Sequence, residues 1–309
     1  MTHRFLHWLE SGESLLLDGG LATELEAQGH DLNNILWSAS LLHREPEAII
    51  AAHMAYLEAG AQCIISASYQ ASRAGLMTLG ISPGEADRLI AGTVDLAAEA
   101  RERFLNTHPN ANYTPLIAAS VGPWGAVQHD GSEYSGVYAI DDKGLRAFHA
   151  ERLPVLDGAG ADVLACETIP NATEARVLAG LLRRMKTPAW VSFACRNGEQ
   201  LSDGTPLRNA ARLYANHPTV QAVGVNCTAP QFIEPLIGVL QAVVPDKAIV
   251  VYPNSGEHYD ASDNSWHGTV TPMECAQAAI NWRETGARLI GGCCRMGPGH
   301  ISAMHDTLG

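Results

Sequence analysis

The length, composition and charge of the chain favour one large globular unit and argue against polyanionic partners. The 309 residues are 46% hydrophobic, which is enough for a large buried interior, and α/β barrels of this size often form a single domain. Because 20 lysines and arginines stand against 33 aspartates and glutamates, the formal charge is -13, which disfavours binding to nucleic acid or to an acidic membrane surface. Monomeric and dimeric states are both compatible with this sequence.

The sequence shows no targeting or membrane-spanning pattern. Its first 20 residues lack a basic region followed by an apolar stretch, and no window holds 18 consecutive apolar residues. The seven cysteines, from Cys63 to Cys294, lack the short regular spacing of a disulfide framework. We therefore expect a cytoplasmic protein with reduced thiols, some of which bind a metal or take part in catalysis.

Short apolar segments rich in Val, Ile and Ala alternate with longer segments of helical periodicity. This alternation is typical of βα units that form a parallel sheet. The predicted strands are 15–18, 62–68, 116–121, 162–167, 189–195, 222–227, 248–252 and 288–292. The clearest helix candidates are 46–59, 84–104, 172–185 and 231–243. Eight consecutive βα units without a linker predict a single-domain (β/α)8 barrel of the α/β class over residues 1–309.

A doubly wound sheet is the structural alternative, and the glycine patterns argue against it. Neither "DGGLAT" at 18–23 nor "GAGADV" at 158–163 matches the G-x-G-x-x-G fingerprint of dinucleotide-binding folds. Two long loops, 122–142 and 253–272, follow the third and seventh predicted strands. Long loops on one face of a barrel usually belong to its binding site.

In a (β/α)8 barrel, the reactive side chains gather at the carboxyl ends of the strands. The candidates at or just past predicted strand ends are Asp18, Ser68, Glu167, Cys227, Asn254, Cys293 and Cys294. Side chains alternate between the two faces of a strand, so Cys166 packs outward if Glu167 faces the barrel mouth. We expect Cys63, Cys195 and Cys275 to be buried apolar residues.

Cys227, Cys293 and Cys294 are the candidate metal ligands. Three protein ligands and one open position are typical of a catalytic zinc site. Neighbouring residues of a regular strand point to opposite faces, but Gly291 and Gly292 before the pair allow the backbone to leave strand geometry. Taken alone, Cys227 could equally be a buried core thiol.

An all-sulfur zinc site favours a particular chemistry. A zinc ion with three thiolates has a net charge of about -1, so it activates water poorly and suits a soft ligand such as a substrate thiol. This points to S-alkyl transfer to a small amino-acid thiol. Asp18 and Glu167 could receive its ammonium group, with Ser68 nearby, although Asp18 could also be a turn residue and Glu167 a surface or helix-terminal carboxylate.

Several motifs along the chain carry a family resemblance. These are "LLLDGGLATELEAQG", "GAQCIISASYQAS", "SVGPWGA", "DVLACETIPN", "LSDGTPL", "VGVNC", "VVYPNSGEHYD" and "GARLIGGCCR". The chain resembles the homocysteine S-methyltransferase family over almost its whole length. It is most similar to the bacterial and plant branch that uses S-methylmethionine or, less favourably, S-adenosylmethionine as the methyl donor.

The resemblance implies a fold, a metal and an activity. It implies a (β/α)8 barrel whose zinc ion is bound by Cys227, Cys293 and Cys294 and activates homocysteine, which becomes methionine. It places amino-acid contacts on Asp18, Gly19 and Glu167. Ser68 stands where relatives carry Thr or Ser, and Asn254 lies in the family motif "YPNSGE", where it shapes the mouth.

The residues after the mouth glutamate bear on the methyl donor. Relatives that use betaine carry an aromatic residue there, whereas Glu167 is followed by Thr168 and Ile169. The barrel also leaves no room for a cobalamin or folate module. A sulfonium donor is therefore expected, with aromatic contacts from candidates Trp124, Tyr134 and Tyr69.

Three alternatives remain at this stage. Selenohomocysteine or selenocysteine could serve as the acceptor in the same chemistry. The cysteines could instead form a non-catalytic zinc or thiol redox site. A zinc hydrolase would need an acidified water and a general base, and the sulfur ligands disfavour it.

Overall fold

A closed parallel sheet forms the centre of the molecule in a computed structural model. The structure describes residues 3–32, 42, 45–128, 130–256, 258–260, 265–267 and 270–309. The strands of these residues are β1 (Leu15–Leu16), β2 (Cys63–Ile65), β3 (Leu116–Val121), β4 (Val163–Ile169), β5 (Ala189–Phe193), β6 (Val220–Asn226), β7 (Ala248–Tyr252), β8 (His258–Asp260), β9 (Ser265–His267) and β10 (Ala287–Ile290).

Strand pairing closes the sheet into a barrel. Across the described residues, eight parallel strands follow the order β1-β10-β7-β6-β5-β4-β3-β2. The two ends of this order meet through a parallel bridge between Leu17 and Cys63. There the Asp18 amide donates to the Cys63 carbonyl at 3.0 Å, and the Gln62 amide donates to the Leu16 carbonyl at 2.8 Å. The predicted (β/α)8 barrel is confirmed.

Helices surround the sheet and connect its strands. Those in the described part of the chain are α1 (Arg4–Ser11), α2 (Leu21–Ala27), α3 (Pro46–Glu58), α4 (Arg73–Met77), α5 (Pro83–Thr107), α6 (Ser132–Ser135), α7 (Asp142–Asp157), α8 (Ala172–Leu182), α9 (Leu207–Ala211), α10 (Ile233–Val243), α11 (Pro272–Thr285) and α12 (Pro298–Leu308). Side-chain caps fix several starts; Asn171, for example, accepts from the Glu174 amide at 2.8 Å. None of these described helices has the length and apolar character needed to span a bilayer.

The apolar core has an inner and an outer layer. Side chains inside the barrel include Trp190, Val250 and Leu289, and Phe5 of α1 closes the bottom against Trp190 with ring centroids 6.1 Å apart. A larger layer lies between the sheet and the helices. Because both faces of the strands are covered, all six residues of β3 are buried.

Most predicted strands are found with small shifts at their ends. The bounds of β3 and β7 agree with the prediction, and β4 continues two residues past Glu167. The second strand is the main difference, since it ends at Ile65 and Ser68 lies in the following turn. Cys166 packs outward in the layer between sheet and helices, as expected.

The two long loops carry structure of their own. The loop after β3 contains a 3-10 turn at Trp124–Val127 and the short helix α6. The loop after β7 contains an antiparallel hairpin of β8 and β9. Residues 129, 257, 261–264 and 268–269 of these predicted loops lie outside the described residues.

Candidate active site

Three thiols meet at the carboxyl end of the barrel. The Sγ atom of Cys227 lies 2.9 Å from that of Cys293 and 3.4 Å from that of Cys294, and the Cys293 and Cys294 sulfurs are 4.0 Å apart. Three sulfurs around one tetrahedral zinc ion with bonds of about 2.3 Å lie about 3.8 Å from one another. The cluster is therefore compact enough to hold one metal ion.

The backbone around these cysteines explains how neighbouring thiols face one point. Cys227 follows β6 with a φ of 47°, in the left-handed region that non-glycine residues seldom adopt. Cys293 and Cys294 lie beyond the end of β10 in a turn, where the Cys293 amide donates to the Pro253 carbonyl at 2.8 Å. The glycine-rich backbone has left strand geometry here, as predicted. A Cβ on Gly20 would lie 2.7 Å from the Cys293 carbonyl oxygen, so this approach requires glycine.

Two buried carboxyl groups lie beside the thiol cluster. Glu167 on β4 is 7% exposed and accepts a hydrogen bond from the Ser120 hydroxyl. Burial raises the pKa of Glu167 to about 7, while hydrogen bonds from Ser120 and Tyr252 oppose the shift. Burial also raises the pKa of Asp18 well above its usual range; the Ile65 amide opposes this shift and the charge of Glu167 adds to it.

Asp18 retains unused hydrogen-bonding capacity. Its Oδ2 atom accepts from the Ile65 amide at 2.7 Å. Its Oδ1 atom is buried and has no hydrogen-bond partner in the part of the chain that the structure describes. A bound cation with N–H donors would complete this site and favour the ionised forms of Asp18 and Glu167.

A side-chain pair joins the strand of Glu167 to the strand of Cys227. Asn226 accepts from the Thr168 amide at 2.7 Å and donates to the Thr168 hydroxyl at 2.8 Å. The same amide nitrogen lies 3.9 Å from the Cys293 sulfur. Asn226 was not expected from the sequence, although it directly precedes Cys227 in "VGVNC" and ends strand β6.

A cavity of about 280 Å³ opens over the thiols and Glu167, whereas Asp18 lies next to the lining residue Gly19 and does not itself line the cavity. Among its lining residues are Gly19, Tyr69, Gln70, Ser120, Glu133, Tyr134, Glu167, Cys227, Tyr252, Cys293 and Cys294. The structure thus brings five of the predicted site residues to one cavity, namely Gly19, Glu167 and the three cysteines. Ser120, Tyr252, Gln70 and Glu133 were not expected from the sequence.

Ser68 lies behind the cavity wall. Its side chain is fully buried, and its hydroxyl donates to the Ser120 carbonyl at 2.7 Å. The hydroxyls of Ser66 and Ser68 lie 2.9 Å apart, and Ser66 is the one that lines the cavity. Ser66 takes the place in the cavity wall that was predicted for Ser68, because β2 ends at Ile65 and Ser66 directly follows it.

The remaining candidates divide between the cavity and its surroundings. Of the three aromatic residues, Tyr69 and Tyr134 line the cavity. Trp124 packs edge-on against Tyr138 with ring centroids 5.1 Å apart. Asn254 accepts from the Gly256 amide at 3.0 Å, so its side chain shapes its own loop.

A buried arginine supports two loops of the cavity. Arg152 on α7 is 2% exposed and donates to the carbonyls of Ser68 at 2.8 Å, Tyr69 at 3.2 Å and Gly122 at 3.1 Å. These carbonyls belong to the connections that follow β2 and β3. One charged side chain therefore fixes the position of both connections.

Comparison with known proteins agrees with this geometry. The family model described as homocysteine S-methyltransferase matches residues 15–308. Homocysteine S-methyltransferase YbgG of Bacillus subtilis is 47% identical over 298 residues, covering 96% of this chain and 94% of its own. The homocysteine S-methyltransferase of Escherichia coli is 48% identical and covers 96% of each chain.

A solved structure extends the comparison to the fold. The metallated form of the homocysteine methyltransferase MmuM from Escherichia coli matches with a TM-score of 0.86 and 43% identity, covering 98% of both chains. The family model matches nearly the whole sequence, and the relatives share more than 40% identity over nearly their whole length. These matches establish the family of the chain. The chain belongs to the homocysteine S-methyltransferase family and is a methyltransferase.

Proposed function

We propose that the enzyme transfers a methyl group from S-methylmethionine, or less favourably from S-adenosylmethionine, to homocysteine in a zinc-dependent reaction that forms methionine. The observation that carries this proposal is the convergence of three cysteine sulfurs, none more than 4.0 Å from another, at a cavity that Glu167 also lines. The buried Asp18 lies next to Gly19 of the same cavity. The solved structure of a metallated form of the Escherichia coli relative supports the proposal that the enzyme binds a metal.

The donor set fits zinc. Cys227, Cys293 and Cys294 would hold the ion as thiolates and leave one position open. When bound, zinc would lower the pKa of the homocysteine thiol while the sulfur ligands keep the resulting thiolate nucleophilic. The close approach of Gly20 to Cys293 would keep the ligand loop in place.

Asp18 and Glu167 are the proposed ammonium site for homocysteine. Both carboxyl groups are buried, and the free Oδ1 of Asp18 would accept from the ammonium. Gly19 lines the cavity beside them and would contact the same amino acid. Ser68 would act indirectly, because its hydroxyl fixes the Ser120 main chain. Asn254 would contribute by shaping the mouth.

The transfer step itself needs alignment more than acid catalysis. The homocysteine sulfur attacks a methyl carbon of the donor. The bond between this methyl carbon and the sulfonium sulfur breaks, and the electron pair of that bond stays on the donor sulfur. The donor leaves as a neutral thioether, so no proton has to be delivered to it. The task of the chain is to hold sulfur and methyl carbon in line. Tyr69 and Tyr134 line the cavity where a sulfonium could contact their rings.

A donor comparison tests this proposal. Zinc-loaded, reduced enzyme is mixed with homocysteine and, in parallel, S-methylmethionine, S-adenosylmethionine or betaine, and methionine is measured. We expect turnover with both sulfonium donors, faster with S-methylmethionine, and none with betaine. Betaine as the best donor would contradict the assignment, and faster transfer to selenohomocysteine would change the acceptor.

A further inference from the structure

Another acidic group faces the cavity from the loop after β3. Glu133 of α6 is 7% exposed and lines the cavity. Its Oε2 atom is buried, and no described residue forms a hydrogen bond with it. A buried carboxylate oxygen without a partner is unfavourable unless a ligand completes it. Its position therefore indicates a ligand that donates hydrogen bonds.

Gln70 offers a matching acceptor. Its side chain lines the same cavity, and its Oε1 atom is also buried without a hydrogen-bond partner among the residues described. The Gln70 oxygen only accepts hydrogen bonds, and the Glu133 oxygen only accepts when its carboxyl group is ionised. Burial raises the pKa of Glu133, and a bound cation would favour its ionised form. A carboxylate and a carbonyl that share a cavity match a cation with several N–H groups, such as an ammonium.

Both acceptors are held by fixed backbone. A Cβ on Gly125 would lie 2.9 Å from the Glu133 Cα, so the 3-10 turn packs closely against α6. Arg152 binds the carbonyl of Tyr69, next to Gln70, and the carbonyl of Gly122 at the start of the other loop. This preorganisation is expected of a binding site.

Each acceptor is also adjacent to a tyrosine of the cavity. Gln70 follows Tyr69, and Glu133 precedes Tyr134, and all four side chains line the cavity. The aromatic faces suit a sulfonium, and the acceptors suit an ammonium. Both charges occur together in an amino-acid methyl donor.

We propose that Glu133 and Gln70 bind the α-ammonium group of the amino-acid methyl donor. This inference rests on the proposed function, in which Asp18 and Glu167 bind the ammonium of homocysteine. Two amino-acid substrates need two ammonium sites, and the second pair of acceptors comes from the loops after β2 and β3. The site selects donors by their N–H groups, so it rejects betaine, whose quaternary nitrogen has none.

Calorimetry with two ligands tests the proposal. The ligands are S-methylmethionine and (3-carboxypropyl)dimethylsulfonium, which is the same sulfonium without the amino group. Both are titrated into the zinc-loaded wild type and into the zinc-loaded variants Glu133→Gln and Gln70→Leu. Glu58→Gln is the matched control, because Glu58 is exposed at the end of α3, at the opposite end of the barrel.

The expected result is selective loss of affinity. Loss of a charge-assisted hydrogen bond should weaken S-methylmethionine binding to Glu133→Gln by about tenfold to a hundredfold. Binding of the deamino analogue should change by less than about twofold, because this analogue has no ammonium group that could contact Glu133. Zinc content and the KM for homocysteine should stay at wild-type values, and Gln70→Leu should show a smaller loss of the same kind.

Three results would overturn the inference. Equal weakening of both ligands would place Glu133 against the sulfonium, and no weakening of either would leave it without a binding role. A raised KM for homocysteine would assign Glu133 to the acceptor instead. Absence of turnover by the wild type with either sulfonium donor would overturn the proposed function, and the calorimetry reports on the subsite independently of that result.

Discussion

The side chain of Asn226 forms a two-point hydrogen-bonded pair with Thr168, at 2.7 Å to its amide and 2.8 Å to its hydroxyl. Thr168 follows Glu167 with a φ of 60°, and Asn226 precedes Cys227, whose φ is 47°. Thr168 lies in β4 and Cys227 directly follows β6, and the two strands are separated by β5. Residues in the left-handed region are energetically unfavourable unless neighbouring contacts hold them. The pair therefore fixes the distance between the carboxyl group and the thiol.

Replacement of Asn226 should separate these two groups. We expect Asn226→Ala to lose about 1–3 kcal/mol of unfolding free energy, because it leaves buried partners unsatisfied. We also expect kcat/KM for homocysteine to fall by about tenfold to a hundredfold, since alignment is lost. Urea denaturation and steady-state kinetics measure both effects. The exposed Asn209→Ala is the control, and wild-type kinetics in Asn226→Ala would contradict a positioning role.

The three cysteines should act as a unit. We expect Cys294→Ala to lose zinc and activity together, with activity falling by more than about a hundredfold. Mutation of a residue that only orients a metal ligand already lowers metal affinity or activity by up to about a hundredfold, and loss of a ligand itself should have a larger effect. Metal analysis and methionine formation are measured on the same sample. Cys275→Ala is the control, since Cys275 is 1% exposed in the core away from the cavity. An active Cys294→Ala enzyme would contradict the ligand assignment.

Binding of homocysteine should depend on pH through Glu167. Burial raises the pKa of its carboxyl to about 7, so the group is protonated below that pH and ionised above it. An ammonium binds only the ionised form, so the KM for homocysteine should rise as pH falls below about 7, by up to about tenfold per pH unit.

The variant Glu167→Gln isolates this dependence. It should bind homocysteine more weakly and show a flatter KM profile between about pH 5.5 and 7.5. Asp18→Asn measures the part contributed by Asp18, whose pKa burial also raises. An unchanged slope in both variants would assign the dependence to another group.

Arg152 should matter for the donor more than for homocysteine. Its substitution by Met removes donors from three carbonyls and leaves them buried, which should lower the unfolding free energy by about 2–4 kcal/mol. Because Arg152 holds the loops that carry Gln70 and Glu133, the KM for S-methylmethionine should rise more than the KM for homocysteine. Arg212→Met is the exposed control, and equal changes in both KM values would indicate a general loss of structure.

Site residues at the carboxyl ends of strands could be predicted from the sequence. Glu167 and the cysteines were predicted because a barrel gathers the carboxyl ends of its strands at one mouth. Ser68 was predicted to end the second strand, but this strand ends at Ile65 in the structure. The end of a strand depends on its pairing with neighbouring strands, which the local sequence does not determine.

Glu133 illustrates what the sequence could not provide. It lies in a loop without periodicity, and its orientation depends on the close contact with Gly125 and on the contact of Arg152 with Gly122. The first contact depends on the geometry of the loop, and the second joins residues that are far apart in the sequence. No local sequence pattern therefore predicts either contact. Asn226 differs, because its position before Cys227 was a usable signal.

The most direct test of zinc-dependent methyl transfer is a zinc titration of the metal-free enzyme. The reduced protein is stripped of metal with a chelator, and methionine formation from homocysteine and S-methylmethionine is followed as zinc is restored. We expect no turnover without metal and a rate that rises in proportion to bound zinc until one ion is bound per chain. Full activity in the metal-free protein, or stoichiometric zinc binding without methionine formation, would contradict zinc-dependent methyl transfer.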